Sequence, residues 1–82
     1  MNIKISRIYK CDQTSVIKAF VDILVNDSLL VKGIRIISGK RNLFVSMPRE
    51  RGKDGRWYEI VRPVDKETRD KLSEMILEAY NK

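Results

Sequence analysis

Four cations lie within eight residues of this chain, Arg49, Arg51, Lys53 and Arg56, opposed there only by Glu50 and Asp54. At that spacing they can meet successive phosphates, each contact releasing condensed counterions, so the chemistry on offer is polyanion binding. Catalytic chemistry lacks its parts. There is no histidine, which removes a Cys–His dyad and the usual zinc ligand sets. Asp12, Asp22, Asp27, Asp54 and Glu59 are scattered, with no paired-carboxylate or metal-ligand spacing. No glycine-rich phosphate loop follows a strand and opens a helix. The sequence therefore assigns no catalytic residue, metal, cofactor or small-molecule substrate. Cys11 is the lone cysteine, so it forms no internal disulfide and reads as a small packing residue in a reducing compartment.

The cations need a support, and the flanking runs supply one. Leu43–Met47 and Trp57–Val61 are rich in β-branched and aromatic residues, and both read as strands. Pro48, with no N–H to donate, ends the first. Asp54-Gly55 is a turn pair that sends the chain back. The expectation is a hairpin of these two strands presenting a charged loop over Pro48–Arg56. Trp57 and Tyr58 could stack on bases of a single strand. The alternative places one ring in the core and the other at an interface, since neighbours on a strand face opposite sides.

Earlier in the chain, Ile3, Ile5 and Ile8 make a first strand of imperfect alternation, and Cys11–Ser15 a polar turn. Ile17, Ala19, Val21, Ile23 and Val25 repeat at period two, with Val16, Lys18, Phe20, Asp22 and Leu24 on the reverse face. Asn26-Asp27 is a turn candidate because both tolerate positive φ. Leu29–Ile37 returns as a strand, with Gly33 marking a bulge or a close backbone approach. The turn Ser38–Asn42 adds Lys40 and Arg41. After Pro63, Asp65 is suited to cap a helix whose Leu72, Met75, Ile76, Ala79 and Tyr80 form one apolar face.

The fold expected is α+β, about five antiparallel strands followed by one C-terminal helix, in a single domain over residues 1–82. One helix cannot hide both faces of the sheet. Phe20, Leu24 and Phe44 need shelter, and a homodimer joined through sheet edges or faces would provide it.

Net charge is +6, from 17 Lys and Arg against 11 Asp and Glu. Residues 65–82 hold four basic and five acidic side chains, so residues 1–64 carry +7. Such a field favours polyanions. No apolar run nears the roughly 20 residues that span a bilayer, and MNIKISRIYK lacks the apolar core of a secretory signal. The expected location is the cytoplasm.

The segments Ile34–Ile37, Gly39, Leu43–Pro48 (LFVSMP), Asp54-Gly55, Pro63-Val64, Thr68-Arg69 and Lys71 together resemble the SpoVG family, named for stage V sporulation and septation. The resemblance covers nearly the whole chain and is weakest over about the first 28 residues. It implies a small homodimeric, non-enzymatic regulator that binds DNA and RNA, with roles in sporulation, septation and gene expression. It carries the family's basic loop position onto Arg51 and its helix-start basic positions onto Arg69 and Lys71. Relatives usually have a second basic residue where this chain has Glu50; Arg49 and Lys53, standing where relatives often have Ser and Pro, could compensate. Many relatives also carry an acidic tail past the position of Lys82.

The candidate nucleic-acid contacts are thus Arg49, Arg51, Lys53 and Arg56, with Lys40, Arg41, Arg69 and Lys71 secondary. Arg69 and Lys71 could instead be helical ion-pair partners of Asp65 and Glu67. The competing function is a protein-interaction module using exposed sheet edges, without nucleic-acid contact.

Overall fold

The computed structural model describes all 82 residues. Strands β1 (Ile3–Lys10), β2 (Ile17–Val25), β3 (Leu29–Ser38) and β4 (Leu43–Ser46) form one antiparallel sheet in the order β1-β2-β3-β4. Strands β5 (Arg49–Arg51) and β6 (Trp57–Glu59) pair only with each other, as a separate two-stranded arm. A single helix, α1 (Lys66–Tyr80), closes the chain. The α+β class, the antiparallel sheet and the C-terminal helix are those expected.

Three register shifts explain how the sheet keeps its apolar side intact. In β1 the pairing skips Ser6 between Ile5↔Ile23 and Arg7↔Asp22. That extra residue returns Ile8 to the face of Ile3 and Ile5, which is why the alternation in sequence looked imperfect. In β3, Lys32 and Gly33 together oppose Asp22, and Gly33 takes φ +88°. A Cβ-bearing residue would be strained there. The third shift lies at Lys18, between Ile17↔Ile37 and Ala19↔Ile36. The β2–β3 turn forms at Asn26 (φ +50°) and Asp27 (φ +56°), with Ser28 N–H donating to the Val25 carbonyl at 3.0 Å.

The core lies between one face of this sheet and the helix. Ala19, Val21 and Ile23 of β2, Ile34 and Ile36 of β3, Met47, and Leu72 and Ile76 of α1 are buried. Met75, Ala79 and Tyr80 complete the helix's inner face at intermediate exposure. Each fully buried aliphatic side chain contributes about 1.5–3 kcal/mol. The helix begins where expected: Asp65 Oδ1 accepts the Thr68 N–H at 2.7 Å, and that bond holds the Asp65 carboxyl below the usual carboxylate range.

The hairpin departs from expectation in its pairing. Leu43–Ser46 pairs with β3, not with the strand that follows the basic segment. Trp57–Glu59 pairs instead with Arg49–Arg51, in the register Arg49↔Glu59, Glu50↔Tyr58, Arg51↔Trp57. Pro48 is the cause. It is buried and cannot donate to the ladder, so the chain leaves the sheet there. Its carbonyl accepts the Ile60 N–H at 2.9 Å and starts the second ladder. A third of the segment read as a loop, Arg49–Arg51, is therefore strand.

Candidate nucleic-acid interface

The arm's tip is built by short-range hydrogen bonds. Gly52 N–H donates to the Arg56 carbonyl at 2.8 Å, and Gly55 N–H to the Gly52 carbonyl at 3.1 Å. Gly55 sits at φ +82°, the left-handed conformation the turn needs. Asp54 accepts the Arg56 N–H on Oδ1 at 3.0 Å and the Tyr58 hydroxyl on Oδ2. Those bonds, Tyr58's foremost, hold the Asp54 carboxyl below its ordinary range, and the same bond pushes the Tyr58 hydroxyl up. The Tyr58 ring crosses so close to Gly52 that a Cβ there would lie 2.8 Å from its Cε2. Glycine at 52 is a space requirement.

This scaffold decides what the charges can do. Arg49, Arg51, Lys53 and Arg56 are all exposed. The structure contains four ion pairs, Lys4–Asp27, Lys66–Asp70, Arg69–Glu59 and Lys71–Glu67, and none uses an arm cation. Asp54 spends its oxygens on Tyr58 and the turn backbone. Glu50 makes no ion pair with Arg49 or Arg51. Four cations are thus gathered on one hairpin and left open to an anionic partner.

The secondary candidates fare differently. Lys40 and Arg41 are exposed, but their turn lies at the opposite end of β4 from the arm, roughly 13 Å along the strand alone at about 3.3 Å per residue. Arg69 does not pair with Asp65. Its Nη2 donates to Glu59 Oε1 at 3.3 Å, joining the helix to β6. Lys71 pairs with Glu67 at 3.1 Å, the helical neighbour foreseen for it. Neither ring of Trp57 and Tyr58 enters the core: they are 59% and 48% exposed.

Sequence reasoning passed over one set of charges. On the sheet face away from the helix, Arg7, Lys32 and Arg35 are exposed. Arg35 lines one concavity with Ser46, Met47, Arg49 and Trp57, beside the base of the arm. The signal was present in Ile34-Arg35-Ile36, where a cation alternates with two core residues.

A half-covered antiparallel sheet, one helix and a projecting cationic hairpin define a small α+β protein. The SpoVG family matches residues 1–82 in full. The chain is 38% identical to a protein of that name from Lachnospira eligens over 82 residues, covering all of this chain and 93% of the relative. It is also 38% identical to one from Archaeoglobus fulgidus over 74 residues, 90% of this chain and 87% of the relative. Both relatives are named for septation. The chain belongs to the SpoVG family.

Proposed function

We propose that this protein is a cytoplasmic regulator that binds DNA or RNA, acts as a homodimer and grips the phosphate backbone chiefly through the β5–β6 arm. Septation, in the names of its relatives, and sporulation or gene expression, implied by the family, are the processes it would serve. One observation carries the reading: Arg49, Arg51, Lys53 and Arg56 share one hydrogen-bonded hairpin, are exposed and lie outside every ion pair. Cations already neutralised by a carboxylate gain little from a phosphate, and these are not neutralised. The sheet, meanwhile, has only Asp22 as an acid on its four strands, so the surroundings reinforce the arm.

Dimerisation is supported by apolar surface elsewhere. Leu29 (60% exposed), Met1 (81%) and Val61 (39%) cluster at the seam where the β2–β3 turn and the Ile60–Val64 linker meet the start of the helix. A second copy would cover side chains that one protomer leaves in water.

The test is fluorescence anisotropy against random duplex DNA and single-stranded RNA at 50 and 200 mM salt. Saturable binding is expected, falling on the order of a thousandfold between the two salts if about six phosphates are contacted. Arg51→Ala with Lys53→Ala should weaken binding at least ~10-fold and reduce the salt slope by about two. Unchanged affinity in a folded double variant removes the arm from the site. Indifference of the wild type to both polymers leaves an interaction module working through its sheet edges.

A further inference from the structure

One cross-strand row of the uncovered sheet face combines rings with cations. Tyr9 of β1 pairs with Phe20 of β2, Phe20 with Arg35 of β3, and Arg35 with Ser46 of β4. Opposed residues of an antiparallel ladder point to the same side, so these four form a line across the face opposite Ala19, Val21 and Ile36. Tyr9 is 58% exposed and Phe20 38%. The Arg35 guanidinium lies over the Phe20 ring, 5.8 Å from its centroid. Tyr9 and Phe20 border a shallow depression with Arg7, Lys32 and Asp22. At its other end the row opens into the concavity shared with Arg49 and Trp57. Rings and cations therefore run without interruption from the outer strand to the base of the arm.

We propose that this row is a binding track for single-stranded nucleic acid, with bases stacked on Tyr9, Phe20 and Trp57 and phosphates met by Arg7, Lys32 and Arg35. It rests on the nucleic-acid reading of the arm but uses other residues and selects a different form of the polymer. A duplex hides its base faces, whereas a single strand offers them to any ring. At a strand spacing of about 4.8 Å, the row is roughly 14 Å across, with Tyr9 and Phe20 on adjacent strands each offering a ring to one base. Charge decides between this occupant and a second copy of the chain. A two-fold contact through this face would bring the Arg7, Lys32 and Arg35 of one copy against a face of the same positive charge, with Asp22 the only carboxylate on the sheet's strands to offset them. The apolar seam near Leu29 and Val61, where Arg62 is the one charged lining residue, suits a copy better.

The experiment compares the wild type with Tyr9→Leu/Phe20→Leu, which keeps apolar bulk but removes the π faces, and with Tyr9→Phe, which keeps the ring. Affinities for a uridine 12-mer and for a 20-base-pair duplex are measured by anisotropy, with light scattering on each variant. Expected are a loss on the order of tenfold per ring for the 12-mer in the Leu variant, a duplex affinity within about twofold of wild type, and full 12-mer binding by Tyr9→Phe. Equal losses for both polymers, or no loss for the 12-mer, overturn the track while leaving the arm's role intact. A Leu variant that changes oligomeric state assigns the face to a second copy and overturns it too. A wild type that binds neither polymer overturns track and arm together.

Discussion

Tyr58 and Asp54 show how a charged turn is kept usable. A carboxylate two residues from Arg56 could have cancelled it, yet its oxygens are committed to the Tyr58 hydroxyl and to the Arg56 N–H. Tyr58→Phe removes that commitment and leaves Asp54 free to swing toward Lys53 or Arg56. The expected outcome is a hairpin of lower order and a weaker polyanion affinity, read by amide hydrogen exchange at Gly52 and Gly55 and by anisotropy. Acid acts on the same bonds. Asp54 and Asp65 both have folded-state pKa values below the ordinary carboxylate value near 3.9. Their contribution is complete above that value and is lost as pH falls through the depressed folded pKa, so stability should be level with respect to them at pH 5–8 and decline below about 4. A decline that instead begins near pH 6 would contradict this. Residue types announced the Asp54-Gly55 turn and the Asp65 cap, because both depend on neighbours within four positions. They could not announce that Arg69 reaches Glu59, ten residues away, since that contact exists only once β6 has paired.

At the scale of elements, the sheet with its helix and the arm are separate constructions. The first has every buried core residue; the second has short strands, exposed rings and a handful of hydrogen bonds. Period-two alternation in β2 and the spacing of Leu72 and Ile76 were readable because burial imposes them. The arm's true register was not, since Arg49–Arg51 has no apolar periodicity to betray a strand. Its pairing follows from Pro48 leaving the sheet, a tertiary event. Ile76→Ala, at a site with no exposure, should cost about 2–5 kcal/mol in denaturant unfolding, a large share of the roughly 5–15 kcal/mol of a small domain. Exchange of the β5–β6 amides through local opening should be unaffected by it. Arm amides that lose protection in step with the sheet would show one cooperative unit instead.

For the whole molecule, asymmetry of surface is the main result. The helix packs on one face of the sheet, the other presents cations between rings, and the end near the start of the helix is apolar. Composition indicated the excess positive charge but not its division among arm, open face and turn, because charge placement depends on strand order. Light scattering at micromolar concentration should give a dimer, and Leu29→Asp with Val61→Asp should shift it toward monomer. A wild-type monomer at that concentration would contradict the proposed assembly. No helix is long and apolar enough to cross a membrane. With no histidine in the chain, polyanion affinity should be insensitive to pH between about 5.5 and 7.5.

The contact between Arg69 and Glu59 has an exclusive character. While the Arg69 guanidinium holds that carboxylate it ties β6 to the helix, and it is then not open to a phosphate. Arg69 cannot do both. Of the secondary candidates on the helix, Arg69 is thus the one whose recruitment would break the single ion pair between helix and arm.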